Sequence, residues 1–141
     1  MAIRADSFAK KLRKFAKDIP KKNNEIKKAV LLEGATLVVA DTPILSGQAQ
    51  NNYFFANTPD KVSVTYGPFN GARGGTMSLA RAQKAAQALK PGQDVYMTNN
   101  LPYIGWLNDG YSTQAPARFI QTAIARAIRV IEKQRIRYGD L

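Results

Sequence analysis

The stretch NNLPYIGWLNDGYSTQAPARF, Asn99 to Phe119, gathers four aromatic residues, two prolines and two glycines, with Asp109 and Arg118 as its only charges. Two turn-forming joints, NNLPY and GYSTQAP, bracket a short apolar segment carrying Ile104, Trp106 and Leu107. Pro102 near the start and Gly110 just past the end mark that segment as a short helix. The joints therefore set how the chain leaves whatever precedes them and how it returns afterwards. Trp106, the only tryptophan, reads as a core side chain. Tyr103 and Tyr111 suit either a core or an interface, because each pairs an apolar ring with a polar end. All three are kept as subunit-interface candidates.

Downstream, Phe119, Ile120, Ala123, Ile124, Ala127, Ile128 and Ile131 recur at helical spacing, and Arg126, Arg129, Lys133 and Arg137 share the opposite face. This predicts an amphipathic C-terminal helix over 116–138. Upstream, DVYMTN (94–99) reads as a short strand. Residues 48–56 and 61–66 read as two further strands joined by the turn NTPD, and the alternation of Val62, Val64 and Tyr66 predicts one buried face. Between them, GPFNGARGGT is loop-like, and a helix is expected from Thr76 with Met77, Ala80, Ala85, Ala86 and Leu89 as its apolar residues, ending before Lys90-Pro91-Gly92. Residues 67–92 thus form a loop-plus-helix projection.

The first 40 residues predict two helices. Over 5–18, Phe8, Leu12, Phe15 and Ile19 form a stripe, with Lys10, Arg13, Lys14 and Lys17 on the other side and Pro20 as the stop. Over 21–40, the run AVLLEGATLVVA is apolar nearly all round, which argues for burial between other elements, with Gly34 permitting close helix packing. The expected fold is a single α+β domain over 1–141: a small antiparallel sheet of three to four strands packed by N-terminal and C-terminal helices.

Composition narrows the chemistry. The 141 residues contain neither cysteine nor histidine. That removes the thiolate nucleophile, the near-neutral general base and the usual zinc ligands. The ten carboxylates show no paired spacing, Ser46 lies in no nucleophile elbow, and GPFNGARGGT lacks the lysine of a phosphate loop. A loose anion nest at Gly74, Gly75 and Thr76, beside Arg73, is the most this loop offers. The chain reads as no enzyme, with no metal, cofactor or small-molecule substrate. No apolar run is long enough to span a bilayer and the N-terminus carries no signal-peptide core, so no membrane is expected.

The net charge of +11 sits at the two ends. Residues 1–28 hold ten Lys/Arg against three acids, 29–117 five against five, and 118–141 six against two. Clustered cations suit non-specific contact with DNA phosphates or an acidic partner, and Lys10, Arg13, Lys14, Lys17, Arg126, Arg129, Lys133 and Arg137 are the candidates for it. No helix-turn-helix, zinc finger or RNP-like pattern supports base reading.

Two blocks carry a resemblance. TPILSGQAQNNYF, followed by YGP, and then DVYMTNNLPYIGWLNDGYSTQAPARFIQTAIAR resemble the neck and tail-component proteins of long-tailed bacteriophages. The matching positions are Thr42, Pro43, Ser46 and Gly47; Asn99, Asn100, Pro102 and Tyr103; Gly110 and Ser112; and Gln114, Ala115 and Pro116. The likeness covers roughly residues 40–130. Asn108-Asp109 stands where the family pattern often has a Glu. The resemblance implies a structural virion protein at the head–tail junction, assembled in the bacterial host cytoplasm. It implies a homo-oligomeric ring, usually hexameric, that completes the tail or joins it to the DNA-filled head, between the connector and the tail tube. A tail terminator ring capping tail length, and a small non-specific DNA-binding protein, are the alternatives.

Overall fold

The computed structural model describes residues 2–4, 20–44, 46–69 and 73–138. The elements in chain order are β1 (Ala2–Arg4), α1 (Pro20–Asp41), β2 (Phe54–Ala56), a 3-10 turn (Arg73–Gly75), α2 (Thr76–Ala88), β3 (Tyr96–Thr98), α3 (Ile104–Asn108) and α4 (Phe119–Tyr138). The protein is α+β. β3 pairs antiparallel with β2, Phe55 facing Met97, and along its other edge with β1, Ile3 facing Met97. The helix expected over 5–18, with Lys10, Arg13, Lys14 and Lys17, lies outside the described residues.

α1 is the central helix. It packs against α4 on one side and α2 on the other, which is why its apolar residues spread around its circumference. Ile26, Val30, Val38 and Val39 join Phe119, Ile120, Ala123, Ile124, Ile128 and Ile131 of α4 in the main core, with Tyr53 and Met97. Leu31 turns instead to Ala86, Leu89 and Val95 in a smaller cluster. The α4 stripe read from the sequence is buried throughout. Gly34 faces Ala127 with room to spare: a Cβ there would sit 3.9 Å from that of Ala127. Close packing of α1 on α4 therefore does not require glycine.

The expected hairpin is absent. Residues 47–52 coil into a single helical turn, with Asn51 N–H bonded to Gly47 C=O at 3.1 Å and Asn52 N–H to Ala49 C=O at 3.3 Å. Only Phe54–Ala56 of the first predicted strand pairs in the sheet. Residues 61–66 form no strand. They are held by side chains instead. Asn52, fully buried, donates Nδ2 to Thr65 C=O at 2.9 Å and accepts Thr65 N–H on Oδ1 at 2.7 Å. An amide side chain presents the same donor–acceptor pair as a neighbouring strand, and here it substitutes for one. Asn100 Nδ2 donates to Ser63 C=O at 3.2 Å, and Asp60 Oδ1 accepts the N–H groups of Val62 and Ser63. The predicted buried face does not form, since Val62 is 85% and Tyr66 77% exposed.

The inward face of α2 is not simply the set of its apolar residues. Ser78, Ala82 and Ala86 are buried, while Ala80 is exposed and Met77 half-buried. Ser78 belongs inside because its Oγ donates to Gln50 C=O at 2.6 Å and accepts Tyr53 N–H at 3.0 Å. Asn51 Oδ1 takes the N–H of Met77 at the start of the helix. Gly74 and Gly75 both adopt left-handed φ, 69° and 72°. A Cβ on Gly75 would collide with Val39 Cγ1 and Gln50 C=O. The glycines seat α2 against α1 and the 47–52 turn. The Arg73 side chain lies outside the described residues.

Replacement of Gly75 and Gly34 by alanine should therefore have opposite signs. Gly75→Ala adds left-handed strain to a backbone collision and is expected to cost about 3 kcal/mol or more. Gly34→Ala gains helix propensity and is expected to stabilise by up to about 1 kcal/mol. Urea midpoints of the two variants check this.

Tyr53 is fully buried, and its hydroxyl pairs with Thr42 Oγ1 at 2.9 Å. Burial pushes its phenol well above its ordinary value of 10.0, against the opposing hydrogen bonds of Thr42 and Asn99. The folded state keeps a proton that the unfolded chain releases as pH rises past 10, so stability present below that pH is lost above it. This group contributes a loss of up to about 1.4 kcal/mol per pH unit there. Tyr53→Phe is expected to flatten the alkaline limb of a stability–pH profile and to cost about 1 kcal/mol at neutral pH.

Candidate interaction surface

The two joints identified in the sequence are built as fasteners. In the first, Asn99 is buried, donates Nδ2 to Ala49 C=O at 3.1 Å and accepts Leu101 N–H on Oδ1 at 3.2 Å. This ties the exit from β3 to the 47–52 turn. In the second, Gly110 has φ 91° and passes so close to Ala117 that a Cβ would stand 3.0 Å from it. Ser112 Oγ accepts Gln114 N–H at 3.1 Å. Gln114 then grips the chain seventy residues earlier: Oε1 accepts Ile44 N–H at 2.7 Å and Nε2 donates to Ile44 C=O at 2.8 Å.

α4 begins at Phe119, three residues after Pro116, because Asn108 caps it from a distance. Its Oδ1 accepts the N–H of Ile120 at 3.1 Å, its Nδ2 donates to Gln121 Oε1 at 2.8 Å, and its backbone carbonyl takes Arg118 N–H. Arg118 reaches this arrangement with φ 61°, a rare value for a side-chain-bearing residue. Asn108 thus ties the end of α3 to the start of α4.

α3 buries Ile104, Leu107 and Asn108. The opposite edge carries Trp106, which is 54% exposed. The tryptophan is therefore a surface residue, contrary to its reading as core. A five-residue helix has one inward edge, and Ile104 and Leu107 fill it. Trp106 stacks on Tyr111 with ring centroids 5.3 Å apart and planes within 7°, an arrangement that holds both rings in place on the surface. Tyr111 is 65% and Tyr103 38% exposed. Partial burial raises the Tyr103 phenol above its ordinary value.

These rings border an open groove of about 550 Å³. Pro43, Ser46, Gln48 and Ala49 come from one part of the chain, and Tyr103, Trp106, Leu107, Tyr111 and Gln114 from another. No lining residue carries a charge, in a chain of net charge +11. The groove holds no acid–base or nucleophilic pair. Among the described residues, no three His, Cys, Asp or Glu converge to hold a metal ion, and no helix is long and apolar enough to cross a membrane.

The basic face of α4 is separate. Arg126, Arg129 and Lys133 are exposed, and Arg126 Nη1 lies 3.3 Å from Asp41 Oδ2 at the end of α1. Such an exposed pair contributes little to stability. The side chain of Arg137 lies outside the described residues. Sequence reasoning missed Asn52, Asn108 and Arg81. Arg81 Nη1 donates to Asn51 and Tyr53 C=O at 2.7 and 3.1 Å, and its guanidinium covers the Phe54 ring at 4.0 Å. The only sequence signal for the asparagines was their density beside turn formers.

Trp106→Ala is expected to cost about 1–2 kcal/mol, the loss of one stacked pair and part of an apolar surface, against the 3–5 kcal/mol of a truncated core aromatic. Thermal unfolding of the isolated chain measures it. No protein-family model, curated protein or solved structure matches the chain.

Proposed function

We propose that this chain is a structural virion protein of a phage neck, a ring subunit that completes the tail or joins it to the filled head. The observation that carries the reading is where the two resembling blocks meet. Pro43 and Ser46 of the first block line the same groove as Tyr103, Ser112 and Gln114 of the second, and Gln114 bolts them together across seventy residues. Other residues of those blocks, Thr42, Gly47, Asn99 and Gly110, are spent on internal geometry. The pattern thus consists of fasteners around one uncharged aromatic ledge. Aromatic rings held rigidly at a surface are what an assembly interface needs, because they bury large area with little side-chain entropy left to lose. Tyr103, Trp106 and Tyr111 are the anchors of that interface in this reading, and the hexameric ring, connector and tail-tube partners follow from the resemblance.

The exposed Arg126, Arg129 and Lys133 favour a second role for the same subunit, non-specific contact with DNA or an acidic neighbour. Deleting the gene in the phage that encodes it, and imaging the lysate by electron microscopy, tests the neck reading. Filled heads beside free tails of normal length are expected. Tails of uncontrolled length would point to a terminator, and intact infectious particles would remove the neck reading and leave the DNA-binding one.

A further inference from the structure

A second cavity, of about 370 Å³, lies beside the aromatic groove and shares Pro43 and Gln114 with it. The clasp between Ile44 and Gln114 stands where the two meet. The Ile44 side chain, 55% exposed, offers an apolar surface at that crossing. On its far side the cavity is walled by α4, through Phe119, Thr122 and Arg126. Arg126 therefore belongs both to the cavity and to the basic face. The ledge and the cations are separate patches, and this cavity bridges them.

Charge changes along this path. The groove end has no charged lining residue. The α4 end carries Arg126, and Arg129 and Lys133 continue the same exposed face at helical spacing. Asp41 lines the cavity too, and its Oδ2 lies 3.3 Å from Arg126 Nη1. An exposed pair of this kind is weak and exchanges readily. A guanidinium has five N–H donors in a planar fork, so Arg126 can hold a second carboxylate while Asp41 occupies Nη1.

We propose that groove and cavity form one docking track for an acidic segment of a partner protein. Apolar or aromatic side chains of that segment lie against Trp106 and Tyr111, the segment crosses the clasp over Ile44, and its carboxylates meet Arg126. Arg129 and Lys133 draw further acids beyond it by charge complementarity. The proposal rests on the reading of the ledge as an assembly interface and names the chemistry of what covers it. A polypeptide can change from apolar to acidic within a few residues. Nucleic acid fits the track poorly, because single strands need cations beside the stacking rings, and here the cations begin only past the clasp. A duplex presents phosphates along its whole length and offers nothing apolar to the groove.

The test is a selection of mRNA-displayed random dodecapeptides on the full-length chain. Enriched sequences are expected to join aromatic, proline or aliphatic residues to Asp or Glu. The top sequence, made synthetically, is expected to shift the fluorescence of Trp106, which is the only tryptophan. With that peptide labelled, Trp106→Ala and Arg126→Glu are each expected to raise Kd by about tenfold or more. Asp41→Asn, which removes a competing carboxylate, is expected to lower it by about two- to threefold. All three side chains lie at the surface, and unchanged circular dichroism confirms that the variants fold. No enrichment beyond a parallel selection on the Trp106→Ala chain would overturn the proposal. So would enriched peptides without acids, a Kd indifferent to Arg126→Glu, or duplex DNA that displaces the peptide and binds the Trp106→Ala chain equally well. Peptide binding by the isolated chain and the morphology of gene-deletion particles are independent readouts, so failure here is distinguishable from failure of the neck reading.

Discussion

The fold turns on a set of buried side-chain amides. Gln50, Asn51, Asn52 and Asn99 are almost completely enclosed, and each bonds backbone groups of another part of the chain. Gln50 Nε2 holds the carbonyl of Val39 near the end of α1. Asn51 joins the 47–52 turn to the start of α2, Asn52 supports the extended 63–65 segment, and Asn99 ties the end of β3 to the same turn. A buried amide left unpaired would cost roughly 1–3 kcal/mol, so these residues tolerate only one relative placement of helix, turn and sheet. Irregular chain can then run through the interior without leaving orphaned backbone groups.

That choice has consequences at the surface. Because polar side chains rather than a long sheet organise the centre, the regular strands are only three residues each, and 61–66 is held by side chains. Because α3 is short, its buried edge is filled by Ile104 and Leu107, and Trp106 is displaced outward onto Tyr111. Two large exposed rings, Trp106 and Tyr111, are thus stacked on each other. The cations of α4 occupy other ground, and the aromatic groove is left uncharged. An apolar, aromatic area and a separate basic face give the chain two surfaces of different chemistry.

The helices were legible because they obey a period. The stripe from Phe119 to Ile131 and the all-round apolarity of 21–40 report burial directly, since a helix that hides one face needs one apolar stripe, and a helix between two others needs more. The absence of His and Cys was legible too, and with it the lack of the commonest catalytic groups. So was the punctuation at Pro102 and Gly110 around α3.

What only the tertiary structure decided lies where side chains take over from backbone. Alternation at Val62, Val64 and Tyr66 promised a strand, but a strand needs a neighbouring backbone, and Asn52 holds that position instead. Gly75 read as part of a loop and proved to be a close approach to Val39 and Gln50. Trp106 looked like core by size, yet its exposure depended on which edge of a five-residue helix faced inward. Asn108 capped a helix that begins eleven residues further on. Each of these outcomes depends on partners distant in sequence, and local periodicity carries no information about which distant backbone group a buried amide will meet.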